Sequence, residues 1–159
     1  MYTFDDIKKI EKMLIRHILI FLLATGIVAV ALFLFFKNWG TEIDPVSLPM
    51  WPAYVLGVVY AVYAVFTVFY IFVRLFKYRA FVYSVLNGLE KVVEGKIIKI
   101  DEDITYDTDL EFYNIELLLN DKKSTRTLHL DAAKDLSLLE KDKDVKLKIF
   151  GNYIKDIIS

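Results

Sequence analysis

The chain changes its hydrophobic period once, close to Lys91. Before that point apolar residues run unbroken or recur at helical spacing, and after it they alternate. Ile18 to Phe36 reads ILIFLLATGIVAVALFLFF, and Ala53 to Val73 reads AYVLGVVYAVYAVFTVFYIFV, neither with a single charge. At about 1.5 Å per residue, each stretch makes a helix roughly as long as the hydrocarbon core of a bilayer is thick. The rest of the chain holds too little apolar mass to bury two such helices on every side. Both are therefore predicted to span a membrane, as a hairpin with residues 18–36 and 53–73 for legs and 37–52 for the connection.

The flanks extend the helical pattern. Thr3 is placed to cap a helix whose first turn carries Asp5 and Asp6. Phe4, Ile7, Ile10 and Leu14 then recur on one face, with Lys8, Lys9 and Lys12 on others. Residues 1–17 are thus predicted to be an amphipathic helix, either lying on the inner membrane surface or packed as a solvated extension. After the second span, RLFKYRAFVYSVL continues with Phe81, Val82, Val85 and Leu86 on one face, a helical extension over 74–88. Asn87-Gly88 supplies residues that tolerate a left-handed helix end.

From residue 89 onward the pattern predicts a small soluble domain of short strands. Val92 to Ile100 is the first, with Gly95 as a bulge. Glu111 to Asn120 is the second, with Tyr113, Ile115, Leu117 and Leu119 on one face. A polar turn at Asn120-Asp121-Lys122-Lys123 leads to the third, Thr125 to Leu130. Asp131 is expected to cap a helical turn containing Leu136, Leu138 and Leu139. Val145, Leu147 and Ile149 alternate in the fourth strand, Gly151-Asn152 makes a hairpin turn, and Tyr153 to Ile158 is the fifth. Five short strands in a stretch this small need a way to remove exposed edges. The fold class expected is a membrane α+β protein, a two-helix transmembrane hairpin followed by a five-stranded β-barrel of OB or SH3-like type.

Composition sharpens this division. Hydrophobic residues are 56% of the 159 and mean hydropathy is +0.41, an excess concentrated in the first half. Lys8, Lys9, Lys12 and Arg16 precede the first span, and Arg74, Lys77 and Arg79 follow the second. The connecting loop has one lysine against Glu42 and Asp44. The bias of Lys and Arg toward the inner side predicts both termini in the cytoplasm. Trp39 and Trp51 bracket the outer loop as interfacial anchors, while Pro45, Pro49 and Pro52 keep it non-helical. The first span is too long for a signal peptide, and Lys37-Asn38-Trp39-Gly40 has no small-x-small cleavage pattern. Ala53, Gly57, Ala61 and Ala64 give the second helix a small-residue face, matched by Thr25 and Ala29 on the first. That face would pack the hairpin or pair two copies. Tyr60, Tyr63 and Tyr70 form a partly polar stripe beside Phe66.

Candidate chemistry is sparse. With no cysteine there is no disulfide, thiolate ligand or thiol nucleophile. His17 and His129 are far apart, and the six glycines never cluster into a phosphate loop. The run Asp101 to Asp109 has the alternating acids of a cation loop. Counted from Asp101, however, the glycine and glutamate that a calcium loop requires are replaced by Tyr106 and Phe112. An acidic loop between two strands is the reading that remains. His129, Asp131 and Ser124 hold the residue types of a hydrolytic triad without a nucleophile-bearing turn. Phe112, Tyr113, Lys122, Lys123 and Arg126 would be the nucleic-acid face of a barrel, but net charge is −1 and pI about 6.1, so no nucleic acid is expected. No catalytic, cofactor-binding or metal-binding residue is predicted, and the uncharged spans argue against a transport path.

In layout the chain resembles NfeD-type bacterial membrane proteins, in which an OB-like barrel follows membrane helices, and this implies a bacterial cell membrane. The resemblance covers layout alone. The glycine- and proline-rich barrel signature of those proteins has no counterpart here beyond Gly95 and Gly151. The function expected is non-enzymatic, a bilayer hairpin anchoring a cytoplasmic barrel that binds another membrane protein or a second copy. The alternative is a sensor whose barrel takes a small ligand or ion.

Overall fold

The computed structural model describes residues 2–39, 51–120 and 124–158. Helix α1 runs unbroken over Phe4–Trp39, so the amphipathic start and the first apolar stretch are one rod. α2 covers Trp51–Phe66, a π-helical segment follows at Thr67–Phe72, and α3 continues over Val73–Asn87. Both rods contain stretches long and apolar enough to cross a membrane. Strands β1 (Lys91–Asp107), β2 (Leu110–Leu119), β3 (Thr125–Asp131), β4 (Asp144–Phe150) and β5 (Tyr153–Ile158) follow, with one 3₁₀ turn at Leu136–Leu138. The chain divides into two compact units, Ile10–Leu75 and Met1–Lys9 with Phe76–Ser159.

In the helical unit, long side chains rather than small residues make the contact between the helices. The Thr25 hydroxyl bonds to the Phe21 carbonyl at 2.7 Å and lies 2.5 Å from the Tyr60 hydroxyl. Phe21 stacks on Tyr63 and meets Phe72 edge-on. At Gly57 a Cβ would find open space, so the expected close approach along Ala53, Gly57 and Ala61 is not made there. The contacts that are made run through Tyr60 and Tyr63 instead. Tyr70 is exposed and stacks on Phe66 within its own helix. Pro52 sits in the first turn of α2, where its missing N–H costs nothing, rather than in the loop. The loop readings at Pro45 and Pro49 fall outside the described residues. Thr67, which opens the π segment, is 3% exposed, and its hydroxyl finds no partner among the described residues.

The five strands close into a barrel in the order β1-β2-β3-β5-β4, antiparallel throughout except for β3 beside β5. Ile97, Ile115, Leu117, Leu128, Leu130, Leu147, Ile149 and Ile154 fill its interior without solvent exposure. Each such side chain is worth about 1.5–3 kcal/mol of burial. Gly95 does not bulge. It pairs with both Leu119 and Val145, and a Cβ there would overlap the Leu118 carbonyl. The register breaks lie further on, between Ile97 and Lys99 and between Asp101 and Ile104.

That second break corrects one expectation. The acidic run is not a loop. Asp101 to Asp107 belongs to β1, and Glu102 and Asp103 are the exposed residues that the ladder skips. In β2 the expected alternation holds: Ile115 and Leu117 lie in the core and Tyr113 and Leu119 pack against it, while Leu110 and Phe112 are buried as well.

Two chain ends also differ from expectation. Gly88 does not adopt the left-handed conformation at the end of α3. Its amide bonds to the Ser84 carbonyl at 2.8 Å, and a Cβ there would strike the Phe150 ring. Lys155 supplies the cap instead, donating to the Leu86 carbonyl at 3.0 Å and to Glu90 at 2.6 Å. At the start of α1, the Thr3 amide donates to the Asp6 carboxylate at 2.9 Å, half of a capping box. Phe4 is 62% exposed, while Tyr2, Ile7 and Ile10 are buried.

The β1–β2 hairpin closes through Thr108 and Asp109, both at positive φ (50° and 66°), as a two-residue primed turn demands. Threonine is a poor residue there, because its branched Cβ crowds the backbone. Thr108→Gly is expected to raise unfolding stability by about 1 kcal/mol. Equilibrium denaturation of the two proteins checks it, and equal or lower stability of the variant would refute it.

Candidate functional site

Two features of different character are built within the second unit. One is a cluster of aromatic rings at strand positions that alternate with the core residues Ile115, Leu128, Leu130 and Ile154, on the outside of the barrel wall. Phe81 of α3 meets Phe112 of β2 at 5.3 Å and Tyr153 of β5 at 5.0 Å, both edge-on. Phe112 and Tyr153 lie 5.2 Å apart, and the His129 ring is 5.7 Å from Tyr153. Tyr2 and Tyr78 pack on Phe81 from the helical side. Aromatic pairs at such separations add attraction beyond the area they bury. Val82 and Val85, fully buried on the same face as Phe81, seat the helix.

At the edge of this cluster lies Asp131, only 4% exposed. Its Oδ2 accepts hydrogen bonds from the Tyr78 hydroxyl at 2.7 Å and the Tyr2 hydroxyl at 3.0 Å. Its Oδ1 accepts from the Ala133 amide at 2.9 Å. A carboxylate with this little water has to be satisfied by donors, and three neutral ones do so here. Lys134 takes a different acid: its Nζ is 3.0 Å from Asp6 and 4.8 Å above the Tyr2 ring. Burial pushes the Tyr2 and Tyr78 hydroxyls far above the ordinary tyrosine value, and the neighbouring Asp131 charge adds to the effect. Tyr153 is pushed up to about 12 by burial and by its 2.5 Å hydrogen bond to Asp107. Burial alone would raise the Asp6 carboxyl, but bonds from Thr3 and Lys134 hold it below the usual range.

The second feature is open. A cleft of about 390 Å³ is lined by Gly95, Leu138, Val145, Ile157 and Ile158, with Lys143, Lys146, Asn120, Glu94 and Asp144 among its polar groups. Glu94 and Lys146 are ion-paired at 2.5 Å. The 3₁₀ turn that contributes Leu138 is capped by Asp135, whose carboxylate accepts from the Ser137 amide at 2.9 Å. Asp131, expected in that role, caps the preceding turn instead.

The residues weighed as chemistry do not converge. The His129 Nδ1 bonds to Asn114 at 2.9 Å, and Asn114 in turn donates to Thr105, whereas Asp131 is committed to the tyrosines. Ser124 is exposed and joins neither. No group of three acids and histidines able to hold a cation occurs among the described residues. Phe112 is 1% exposed and offers no face for a base. Arg126 is turned onto the Gly151 carbonyl and the Asn152 side chain. Lys122 and Lys123 lie outside the described residues. The role of Asp131 was not visible in the sequence. The only signal would have been a tyrosine two residues from the start of the chain, beside a helix cap, where nothing local calls for an aromatic ring.

No protein family matches the chain, and no curated protein and no solved structure matches it either.

Two outcomes test the carboxylate cluster. Tyr78→Phe should cost about 1.5–3 kcal/mol, the worth of a hydrogen bond to a charged group. Asp131→Ala, which strands both hydroxyls, should cost more. Denaturant unfolding ranks them, and a neutral Tyr78→Phe would contradict the assignment. The second outcome is alkaline lability. Raised folded-state values mean that the tyrosines stabilise the fold fully below pH 10.0, their ordinary value. That contribution declines as pH rises above 10.0, and the Tyr153 share is spent by about 12. Ionisation of Tyr2, Tyr78 and Tyr153, read by difference absorbance against their phenylalanine variants, should therefore come late and together with unfolding; ionisation of these three near pH 10 in the folded protein would disprove it.

Proposed function

We propose that the two apolar rods are a membrane hairpin and that the barrel is an interaction module held at the cytoplasmic surface. The observation that carries this reading is the pairing of two charge-free helical stretches with a filled, closed barrel and no converging catalytic groups among the described residues. Lys8, Lys9, Lys12 and Arg16 before the first stretch, and Arg74, Lys77 and Arg79 after the second, favour both termini inside. The strand order β1-β2-β3-β5-β4, closed through parallel β3 and β5, favours the OB type over the SH3-like one. A bacterial cell membrane is the proposed location, on layout alone. The partner is another membrane protein or a second copy; neither catalysis nor nucleic-acid binding is part of the proposal.

The second reading is a sensor, favoured by the open cleft at the barrel mouth, the kind of place where barrels take small ligands. Thermal-shift screening of the full chain against calcium, nucleotides and lipids separates the two. Stabilisation that is lost on blocking the cleft supports the sensor, and none supports the interaction module.

The absence of native cysteine makes topology simple to test. With an impermeant thiol reagent on intact cells, Asp44→Cys should label and Glu140→Cys should not. Labelling of Glu140→Cys alone would invert the hairpin, and labelling of neither before extraction from a soluble fraction would remove it from the membrane. Crosslinking in native membranes should then recover a second protein or a dimer; monomer alone would count against the interaction role.

A further inference from the structure

We infer that the segment Asp131–Leu139 is a relay that couples the seating of both helical arms to the open mouth of the barrel. Asp131 takes one hydroxyl from Tyr2, which precedes α1, and one from Tyr78, on α3. Two stretches of chain from opposite ends of the helical half are thereby tied to one oxygen atom. Both arms are continuous with hydrogen-bonded helical rods, which tilt or slide as units rather than stretch, so displacing either withdraws a donor from the same buried charge.

The segment beyond Asp131 passes this on step by step. β3 ends at Asp131 and β4 begins only at Asp144. Between them, isolated bonds rather than a strand ladder hold Asp131–Leu139. The Ala132 amide donates to the Glu111 carbonyl, Ala133 to Asp131 Oδ1, and Lys134 to the Asp131 carbonyl at 2.9 Å. Lys134 also reaches back to Asp6 on the N-terminal arm. Asp135 then caps the 3₁₀ turn through the Ser137 amide, and the Leu139 amide closes it on the Leu136 carbonyl at 3.0 Å. That turn delivers Leu138 to the cleft wall and Leu139 to the core. A segment held by such bonds, outside the strand ladders, opens as a local unit at lower cost than the strands beside it. Its two states are arms seated with the turn closed, and an arm released with the turn loosened. The coupling goes beyond the anchoring role and stands on contacts that are the same whether or not the rods enter a bilayer.

Hydrogen exchange on the full chain in detergent micelles tests the coupling. Tyr2→Phe and Tyr78→Phe each keep the ring and delete one hydroxyl. Each should speed exchange at the Ser137 and Leu139 amides roughly tenfold, the opening expected when a charge-assisted bond is lost. Tyr153→Phe, which removes a hydroxyl from the same aromatic cluster but from Asp107, should leave those two amides unchanged. Faster exchange confined to residues 2–9 and 76–87 would overturn the relay, as would an equal effect of Tyr153→Phe. Should a phenylalanine variant lose its native circular dichroism, Asp131→Asn, which removes the charge that both hydroxyls serve, is read at the same amides and should speed their exchange. No change there would likewise overturn it.

Discussion

A carboxylate removed from water must be surrounded by donors or give up its charge, and Asp131 is surrounded. Its three donors come from the start of the chain, from the helix that enters the barrel, and from its own turn. Much of what distinguishes this end of the molecule follows from that requirement. Tyr2 can reach Asp131 only if the N-terminal residues lie against the barrel, which in turn places Asp6 within reach of Lys134. Tyr78 can reach it only if α3 presents Phe81, Val82 and Val85 to the barrel wall on the same face. The apolar packing supplies most of the energy, while the carboxylate fixes which of the available packings is adopted.

The barrel shows the same division between what fills space and what sets register. Its interior is aliphatic and would tolerate several alignments of the strands. The skipped pair Glu102 and Asp103 removes that freedom, because two acids cannot be turned inward and the ladder must pass over them. Gly95 acts similarly at the other end of the same strand, where the close approach of the Leu118 carbonyl leaves no room for a side chain. Negative charge at one place and a missing Cβ at another thus align an otherwise uniform core.

How much of this could be read in the sequence depended on the range of the signal. The two apolar stretches and the alternating strands are local patterns, and the helices and strands stand within a few residues of where those patterns place them, except that β1 runs past Ile100 to Asp107. The alternation of β2 points Tyr113 inward, and it does pack against the core; the burial of Phe112 is not legible there, because it depends on Phe81 and Tyr153, distant along the chain. The small-residue pattern at Gly57 meets no neighbour, and the helices touch through Tyr60 and Tyr63 instead. The acidic run resembled a loop because acids usually sit in loops, whereas here they decorate the outside of a bulged strand. Asp131 was beyond reach altogether. A buried acid is recognised by its donors, and these lie 53 and 129 positions away along the chain.

That last separation bears on how the protein comes into being. Closing a chain over 129 positions is entropically costly only in proportion to the logarithm of the length, but it cannot happen before both ends exist. Tyr2 is synthesised long before Asp131, and during that interval both helical rods and most of the barrel are made. The bond between them can therefore form only once α3 and β3 have both been made. A chain stalled before β3 carries an N-terminal arm with nowhere to dock. The buried acid thus marks the point at which synthesis of the helical half and of the barrel is reconciled.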